Sequence, residues 1–236
     1  MWCVLLTCEH AGNRIPARYR SLFAGVEEVL ASHRGWDPGA LLIARTMQRR
    51  LRVPLFYTTV SRLLVEANRS LHHPHLFSEF MRAVDREERK WIIEHYYRPH
   101  RERVTRWVEE QIKGRARVLH LSVHTFTPQL HGRVRRADIG LLYDPRCRGE
   151  KAFCRLWKQT LAQCRPDLIV RCNYPYLGRA DGLTSALRKQ FGERYAGIEL
   201  EVNQGWLAAD KSQWRGLTHD LAATFAAAFS RWPAGS

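Results

Sequence analysis

The 236-residue sequence lacks any apolar run of the roughly 20 residues that a membrane-spanning helix requires. Met1 is followed at once by WCVLLTC, without a basic region or a small-residue cleavage site, so we expect a core strand there and not a signal peptide. No internal repeat is present, and no stretch rich in proline, glycine or serine divides the chain. We therefore expect a single domain over residues 1–236, located in the cytoplasm.

Cysteine pairs with the spacing of a zinc site are also missing. The six cysteines are scattered along the chain without a C-x-x-C motif. In a reducing compartment such residues usually behave as small buried apolar side chains. The sequence therefore argues against a cysteine-based zinc site. The six positions are Cys3, Cys8, Cys147, Cys154, Cys164 and Cys172.

Acidic residues are few relative to basic ones: 23 Asp and Glu stand against 38 Lys and Arg, which gives a formal net charge of +15. Such an excess raises the question of nucleic-acid binding. The basic residues are mostly arginine, however, and they form no continuous tract, helix-turn-helix, RNA-recognition or zinc-finger pattern. We interpret the excess as an arginine-rich surface together with recognition of a small anionic substrate. A non-catalytic nucleic-acid-binding protein is the less favoured alternative.

Short apolar runs alternate with helical patterns along the chain. Nearly continuous hydrophobicity within each run predicts strands that are covered on both faces, and the alternation predicts an α/β sandwich with a mainly parallel sheet. The predicted strands are 2–8, 54–60, 117–124, 138–144, 168–173 and 196–203. The predicted helices are 37–51, 79–113, 150–164, 181–191 and 217–229. We expect Asp37 to cap the first of these, with Pro38 at its first position, and Pro99 to interrupt the second.

Polar side chains that suit metal chemistry stand where these strands end, and strand ends are where such sheets bind ligands. His10 follows the first strand in VLLTCEHAGN, and His124 is in SVHTFTP after the third. Asp37 opens a helix, and Glu199 and Glu201 lie on one face of the last strand. Each has an ordinary structural explanation, such as packing for a histidine or capping for Asp37. Together, two imidazoles, one carboxylate and one unligated carboxylate are the components of a catalytic zinc site.

Two further segments, TVSRLLVEANRS and RCNYPYLGRADG, carry groups that suit anionic substrates. A guanidinium fork can donate to both oxygens of a carboxylate at once. The alternatives are that these arginines lie on the surface, that the Tyr-Pro-Tyr run is a rigid turn, and that Glu66 only orients an arginine. The candidate substrate-binding residues are Arg62, Asn68, Arg69, Arg171, Asn173 and Tyr176.

The segment LHHPHLF holds His72, His73 and His75. Pro74 breaks any helical register among them, so we interpret the segment as a rim of the cleft and not as a metal site.

The sequence resembles the N-formylglutamate amidohydrolase family through nearly its whole length. The motifs that carry the resemblance are, in order, CEHAGNRIP, HRGWDPGA, SRLLVEANRS, HTFTP, ADIGLLYDP, NYPYLGRADG and GIELEVNQ. The resemblance implies a three-layer, phosphorylase/hydrolase-like fold similar to that of zinc carboxypeptidases, with a metal at the strand ends.

The same resemblance implies roles for individual residues. His10 and His124 would be ligands of Zn²⁺ or another divalent cation, Asp37 would be the third ligand, and Glu201 would be the general base. The implied substrate is a small anionic N-acyl amino acid such as N-formyl-L-glutamate, and the alternative is a larger peptide or peptidoglycan-type substrate. Two positions depart from related proteins: Asn13 replaces a ligand glutamate of zinc peptidases, and Glu66 replaces a common aspartate.

Overall fold

A computed structural model describes residues 1–208 and 210–232 of the chain. Its centre is one six-stranded mixed sheet, and a separate two-stranded hairpin lies outside it. The strands in the described residues are β1 (Trp2–Cys8), β2 (Leu55–Tyr57), β3 (Arg117–Phe126), β4 (Gln129–Leu130), β5 (Arg133–Val134), β6 (Ile139–Leu142), β7 (Val170–Cys172) and β8 (Tyr195–Asn203). The sheet order is β2-β1-β3-β8-β6-β7, and only the β6–β8 pair is antiparallel.

Helices cover both faces of the sheet. The α-helices are α1 (Glu27–Ala31), α2 (Ala40–Leu51), α3 (Arg86–Ile92), α4 (Arg98–Lys113), α5 (Arg148–Cys164), α6 (Leu183–Phe191) and α7 (Lys211–Arg231). Short 3-10 turns span Ala17–Phe23, Glu79–Met81, Gly192–Arg194 and Gln204–Leu207. The structure confirms the expected α/β sandwich with a mainly parallel mixed sheet. None of the helices in the described ranges combines the length and apolar character that a membrane crossing requires.

The three layers follow from the alternation of side chains along each strand. Leu6 of β1 packs in a cluster with residues of α2, α5 and α7, whereas its neighbour Leu5 packs with α4 and α6 on the other face. Aromatic rings fill the first layer: Phe153 and Trp157 of α5 lie 5.2 and 5.0 Å, centroid to centroid, from Phe225 of α7. Both faces of the central strands are therefore covered by helices and buried from solvent, as their continuous hydrophobicity predicts.

A second apolar cluster lies beside the sheet and supports the segment around Arg62. It joins the turn at Ala17–Phe23 with residues 60–65 and with the start of the long helical stretch. Its fully or nearly fully buried members include Phe23, Leu64, Met81 and Ile92. This cluster holds the 61–69 segment rigidly against the carboxyl ends of β1 and β2.

The helical stretch expected at 79–113 is interrupted before Pro99, as predicted, and also between the turn at 79–81 and α3. It consists of the turn Glu79–Met81, then α3, a π-helical turn at Ile93–Tyr97, and α4, with Pro99 in the first turn of α4. Proline has no N–H to donate to the carbonyl four residues earlier, and the chain accommodates this with a widened turn.

The prediction that Asp37 caps α2 is wrong. The helix begins at Ala40, and Gly39, with φ 85°, occupies the capping position without a side-chain hydrogen bond. The carboxylate of Asp37 has stronger, charged partners elsewhere. The cysteines are all free; Cys8 and Cys154 are buried as expected, but Cys164 is exposed.

Candidate metal centre and active-site cleft

The sheet register brings the candidate residues to one edge. His124 of β3 and Glu201 of β8 are direct partners in adjacent parallel strands. His10 lies two residues beyond the end of β1, and its carbonyl accepts a hydrogen bond from the backbone N–H of Asp37 at 3.0 Å. Residues that are distant in sequence therefore meet at the carboxyl ends of β1, β3 and β8.

His10, Asp37 and His124 converge on one point with a geometry that suits a small cation. The separations are 3.1 Å between the two Nδ1 atoms, 3.2 Å from His10 Nδ1 to Asp37 Oδ2, and 2.9 Å from His124 Nδ1 to the same oxygen. Bonds of about 2.0–2.1 Å in a tetrahedral zinc site put neighbouring donor atoms roughly 3.3–3.4 Å apart. In residues 1–208 and 210–232 this is the single such cluster of His, Cys, Asp or Glu. The donors therefore fit a zinc ion with three protein ligands and an open position.

The electrostatic surroundings of these donors favour positive charge. Burial lowers the pKa of His10, but Glu66 and Asp37 outweigh it and raise that pKa above its ordinary value. Burial acts in the same direction on His124, where hydrogen bonds to Asp37 and Glu9 raise the pKa well above the usual range. The field that favours a positive charge on each imidazole also favours a divalent cation between them.

The outer nitrogen of His10 is held by a buried carboxylate. His10 Nε2 lies 2.5 Å from Glu66 Oε1, and Arg62 lies 2.6 Å from the other oxygen of Glu66 through Nη2. Arg62 also donates to Asp37 Oδ1 at 3.2 Å. Burial opposes ionisation of Glu66, but Arg62 and His10 hold its pKa well below the usual range. Glu66 thus fixes the ring of His10 with Nδ1 facing the cluster.

His124 has an equivalent carboxylate on its far side. Its Nε2 lies 2.8 Å from Ser122 Oγ and 3.2 Å from Glu9 Oε2. Glu9 is 1% exposed and also contacts His100 Nε2 at 3.3 Å. Burial raises the pKa of Glu9, but hydrogen bonds from His100 and His124 outweigh it and hold that pKa well below its ordinary value.

Sequence reasoning missed Glu9, Ser122 and His100. The signal for Glu9 was present, because a glutamate at the end of an apolar strand is as costly to bury as Glu201. Ser122 and His100 gave no such signal, since the contact of Ser122 with Glu9 depends on the pairing of β1 with β3, and that of His100 on the packing of α4 against the sheet.

Glu201 stands beside the cluster without a partner for one of its oxygens. The residue is 5% exposed, and among the described residues no group hydrogen-bonds its buried Oε2. Burial, with help from the charges of Asp37 and Glu199, raises the pKa of Glu201 to about 8. Gly140 of β6 is its register partner, and a Cβ there would meet the Tyr174 carbonyl oxygen at 1.9 Å and Glu201 Cβ at 3.2 Å. Glycine is thus required beside this carboxylate.

These groups open into a cleft of about 450 Å³. Eight of the ten residues singled out from the sequence line it: His10, Asp37, Arg62, Asn68, Arg69, His124, Tyr176 and Glu201. Other lining residues include His33, Phe126, Asp181 and Glu199.

The sequence profile of the N-formylglutamate amidohydrolase family matches residues 2–208. The chain belongs to this family. Among the solved structures that match it are two whose similarity extends over nearly the whole chain. No curated protein sequence matches it.

One of these structures is the gene product Atu2144 from Agrobacterium tumefaciens, with 29% identity, a TM-score of 0.82, and coverage of 96% of this chain and 90% of that one. Another is an N-formylglutamate amidohydrolase from Ralstonia eutropha JMP134, with 20% identity, a TM-score of 0.70, and coverage of 96% and 93%. At 20% identity, the similarity to the Ralstonia eutropha protein is evidence for the fold alone.

In this member of the N-formylglutamate amidohydrolase family, Arg171 and Asn173 are not brought to the cleft. Asn173 Oδ1 accepts from the backbone N–H groups of Tyr143 and Gly178, both at 3.1 Å, so its side chain closes a turn. Arg171 is exposed on β7, with its guanidinium 5.3 Å from the Tyr174 ring centroid.

The histidines expected at the rim, His72, His73 and His75, do not line the cleft either. They belong to neighbouring surface depressions, and His73 and His75 lie close to each other, with ring centroids 5.6 Å apart.

Proposed function

We propose that this protein is a zinc-dependent amidohydrolase that cleaves an N-formyl amino acid such as N-formyl-L-glutamate. Water adds across the amide bond, so that formate and the free amino acid are the products. The observation that carries the proposal is the convergence of two imidazole nitrogens and one carboxylate oxygen beside the unpartnered oxygen of Glu201. Membership of the family favours this chemistry over others that the same donors can support.

His10, Asp37 and His124 would hold the metal through Nδ1, Oδ2 and Nδ1. A zinc ion there supplies Lewis acidity, which favours deprotonation of water and polarises a carbonyl group. The same donors also accept iron, cobalt or manganese, so each metal has to be loaded separately in a test.

Glu201 is proposed as the general base. Its carboxylate accepts the proton of the attacking water and then delivers it to the leaving nitrogen, which converts the amide nitrogen into a neutral amine. The pKa of about 8 places the group near neutrality, and a nearby cation would lower that raised value. Because the base must be ionised, activity is expected to fall as the pH drops through this pKa.

The remaining polar residues of the cleft divide into two groups. Arg62 is engaged with Glu66 and Asp37, so we assign it to positioning of the ligands. Arg69, Asn68 and Tyr176 face the cleft and are proposed to contact substrate. Asn68 uses its Oδ1 to accept from the backbone of Leu183 at 2.8 Å, which orients its amide nitrogen as a donor.

Release of formate from N-formyl-L-glutamate by metal-loaded protein tests the proposal. Glu201→Gln is expected to bind one metal per chain and to lower kcat by about 10²–10⁴-fold, because general-base catalysis is lost while the ligands stay. Glu199→Gln is the matched control: it removes the same charge from the same strand and cleft, and a much smaller loss is expected. Loss of metal in Glu201→Gln, or an undiminished rate, would contradict the assignment.

The cleft volume favours a small substrate over a peptide. About 450 Å³ lies within the range of small-molecule sites. Acetylated amino acids and muropeptides assayed beside the formyl substrate distinguish these cases.

The non-catalytic alternative predicts a different result. It would be supported by salt-dependent association with nucleic acid that substitution of His10 or His124 does not affect. The cytoplasmic location stays a prediction.

A further inference from the structure

The cleft needs a cation for a dicarboxylate substrate, and Arg62 is already committed. Its Nε and Nη2 contact Glu66 Oε2 at 2.7 and 2.6 Å, and its Nη1 contacts Asp37 Oδ1 at 3.2 Å. A guanidinium engaged in this way by two buried carboxylates has little capacity to bind a third. Arg69 also lines the cleft, and its Nη1 donates to the backbone carbonyl of Asp181. A second cation beside the cleft would add to the recognition of a dicarboxylate.

Arg135 lies beside two residues of the cleft wall, and hydrogen bonds hold its backbone in place. It directly follows the hairpin formed by β4 and β5, whose tight turn has φ 47° at His131 and 74° at Gly132, as in the two-residue turns that suit hairpins. Its backbone N–H donates to the Pro128 carbonyl at 2.8 Å, and its carbonyl accepts from Asn203 Nδ2 at 3.1 Å. Asn203 ends the strand that carries Glu201, so Arg135 is anchored to the site itself.

The side chain of Arg135 lies against two aromatic residues that line the cleft. Its guanidinium carbon is 5.9 Å from the Phe126 ring centroid and 5.2 Å from that of Tyr176. Nη1 donates to the Tyr176 hydroxyl at 3.2 Å. Stacking of this kind holds the planar guanidinium in a fixed orientation and leaves its other donors available.

No carboxylate of the described residues forms an ion pair with Arg135. Its charge nevertheless reaches the cleft. Burial lowers the pKa of His33, a residue of the cleft wall, and Arg135 is the largest of the charges that lower it further. Arg135 is thus a half-buried cation with unused donors, stacked against Phe126 and Tyr176 of the cleft wall.

We infer that Arg135, aided by the Tyr176 hydroxyl, binds the side-chain carboxylate of the substrate and makes the enzyme selective for N-acyl derivatives of dicarboxylic amino acids. The inference rests on the proposed amidohydrolase function. The metal ligands lie on the cleft floor, each about 3% exposed, whereas Tyr176 is 47% exposed at the mouth. A substrate with its amide at the floor would extend toward the mouth, where Tyr176 is in contact with Arg135.

Comparison of two nearly isosteric substrates tests the inference. The wild-type protein is expected to prefer N-formyl-L-glutamate over N-formyl-L-glutamine, which differs in charge but hardly in size. In Arg135→Gln, kcat/KM for the glutamate derivative should fall roughly 10- to 100-fold, mainly through KM, because a hydrogen bond to a charged group contributes about 1.5–3 kcal/mol. The value for the glutamine derivative should hardly change. Arg136→Gln, an exposed neighbour with the same loss of charge, should retain the wild-type preference.

The outcomes separate this inference from the function on which it rests. Wild-type protein that hydrolyses neither substrate overturns the proposed function, and the inference with it. Wild-type protein that hydrolyses the glutamate derivative, together with an Arg135→Gln variant that keeps the full preference or loses both activities equally, overturns the inference alone. Tyr176→Phe, which keeps the ring and loses the hydroxyl, should reduce the preference less than Arg135→Gln.

Discussion

At the residue scale, both candidate metal-binding histidines have the same arrangement. Each directs Nδ1 to the common point and directs Nε2 to a buried carboxylate, Glu66 for His10 and Glu9 for His124. A carboxylate behind an imidazole fixes its tautomer and orientation and makes the other nitrogen a better ligand. In the proposed metal site, these two glutamates would therefore contribute to metal affinity without touching the metal.

Glu9→Gln tests that contribution. The amide cannot accept from His124, Ser122 and His100 as the carboxylate does, so His124 is oriented less firmly. Zinc affinity is expected to weaken about 10- to 100-fold, measured by competition with a chromophoric chelator. Glu87→Gln, at an exposed position, is the control and should leave affinity unchanged. Equal affinities in the wild type and Glu9→Gln would contradict the role of Glu9.

The role of a residue could be predicted from the sequence where it depends on local position, and could not where it depends on tertiary contacts. His10, His124 and Glu201 could be found because a polar side chain at a strand end is visible in the sequence. The roles of Arg62 and Glu66 could not be predicted, since an arginine near a glutamate in the sequence is equally consistent with substrate binding and with an internal ion pair. Arg171 lies on a strand of three residues, where the facing of a side chain depends on a register that the sequence does not show.

At the element scale, one buried ion pair joins three elements far from the cleft. Glu150, in the first turn of α5, is fully buried and accepts from Arg188 Nε of α6 at 2.8 Å. Its oxygens also accept from the backbone N–H groups of Gly197 in β8 and of Asp144, both at 2.8 Å. Burial raises the pKa of Glu150 even with this pairing. The carboxylate thus depends on Arg188 for its charged state.

Arg188→Met is expected to destabilise the protein by about 3–5 kcal/mol at neutral pH, because it leaves a buried charge without its partner. The variant Arg188→Met with Glu150→Gln should recover part of this loss. Urea unfolding measures both losses of stability.

The same variant should show a pH-dependent loss of stability. Because Arg188 lowers the pKa of Glu150, its removal raises that pKa further above the unfolded value of about 4.3. The stability that a raised pKa of Glu150 contributes is present at acidic pH, where Glu150 is protonated, and is lost as the pH rises through that pKa. The loss of unfolding free energy caused by Arg188→Met should therefore be smaller at acidic pH than at neutral pH. A deficit independent of pH would contradict this account.

The elements themselves were largely visible in the sequence. All six sheet strands coincide with apolar runs, although the run at 54–60 contributes only Leu55–Tyr57. The end of a strand is set by pairing with its neighbours, which an apolar pattern does not reveal. The start of α2 differs from the prediction because Asp-Pro is a typical helix opening, whereas here the carboxylate of Asp37 contacts His10, His124 and Arg62.

At the scale of the whole molecule, sheet order determines which strand ends meet. β3 and β8 lie at the centre of the sheet and are parallel, so His124 and Glu201 are adjacent, and β1 beside β3 brings in His10. The sequence predicted a mainly parallel sheet but not the reversed direction of β6 and β7. Strands that are covered on both faces have the same hydrophobic pattern in either direction.

The most direct test of the central claim is the anomalous diffraction of a crystal of the protein loaded with one equivalent of zinc. We predict a single strong peak about 2.0–2.2 Å from Nδ1 of His10, Nδ1 of His124 and a carboxylate oxygen of Asp37, with Glu201 close by and not ligated. A peak ligated by other residues, or no peak at this site in zinc-loaded crystals, would contradict the account.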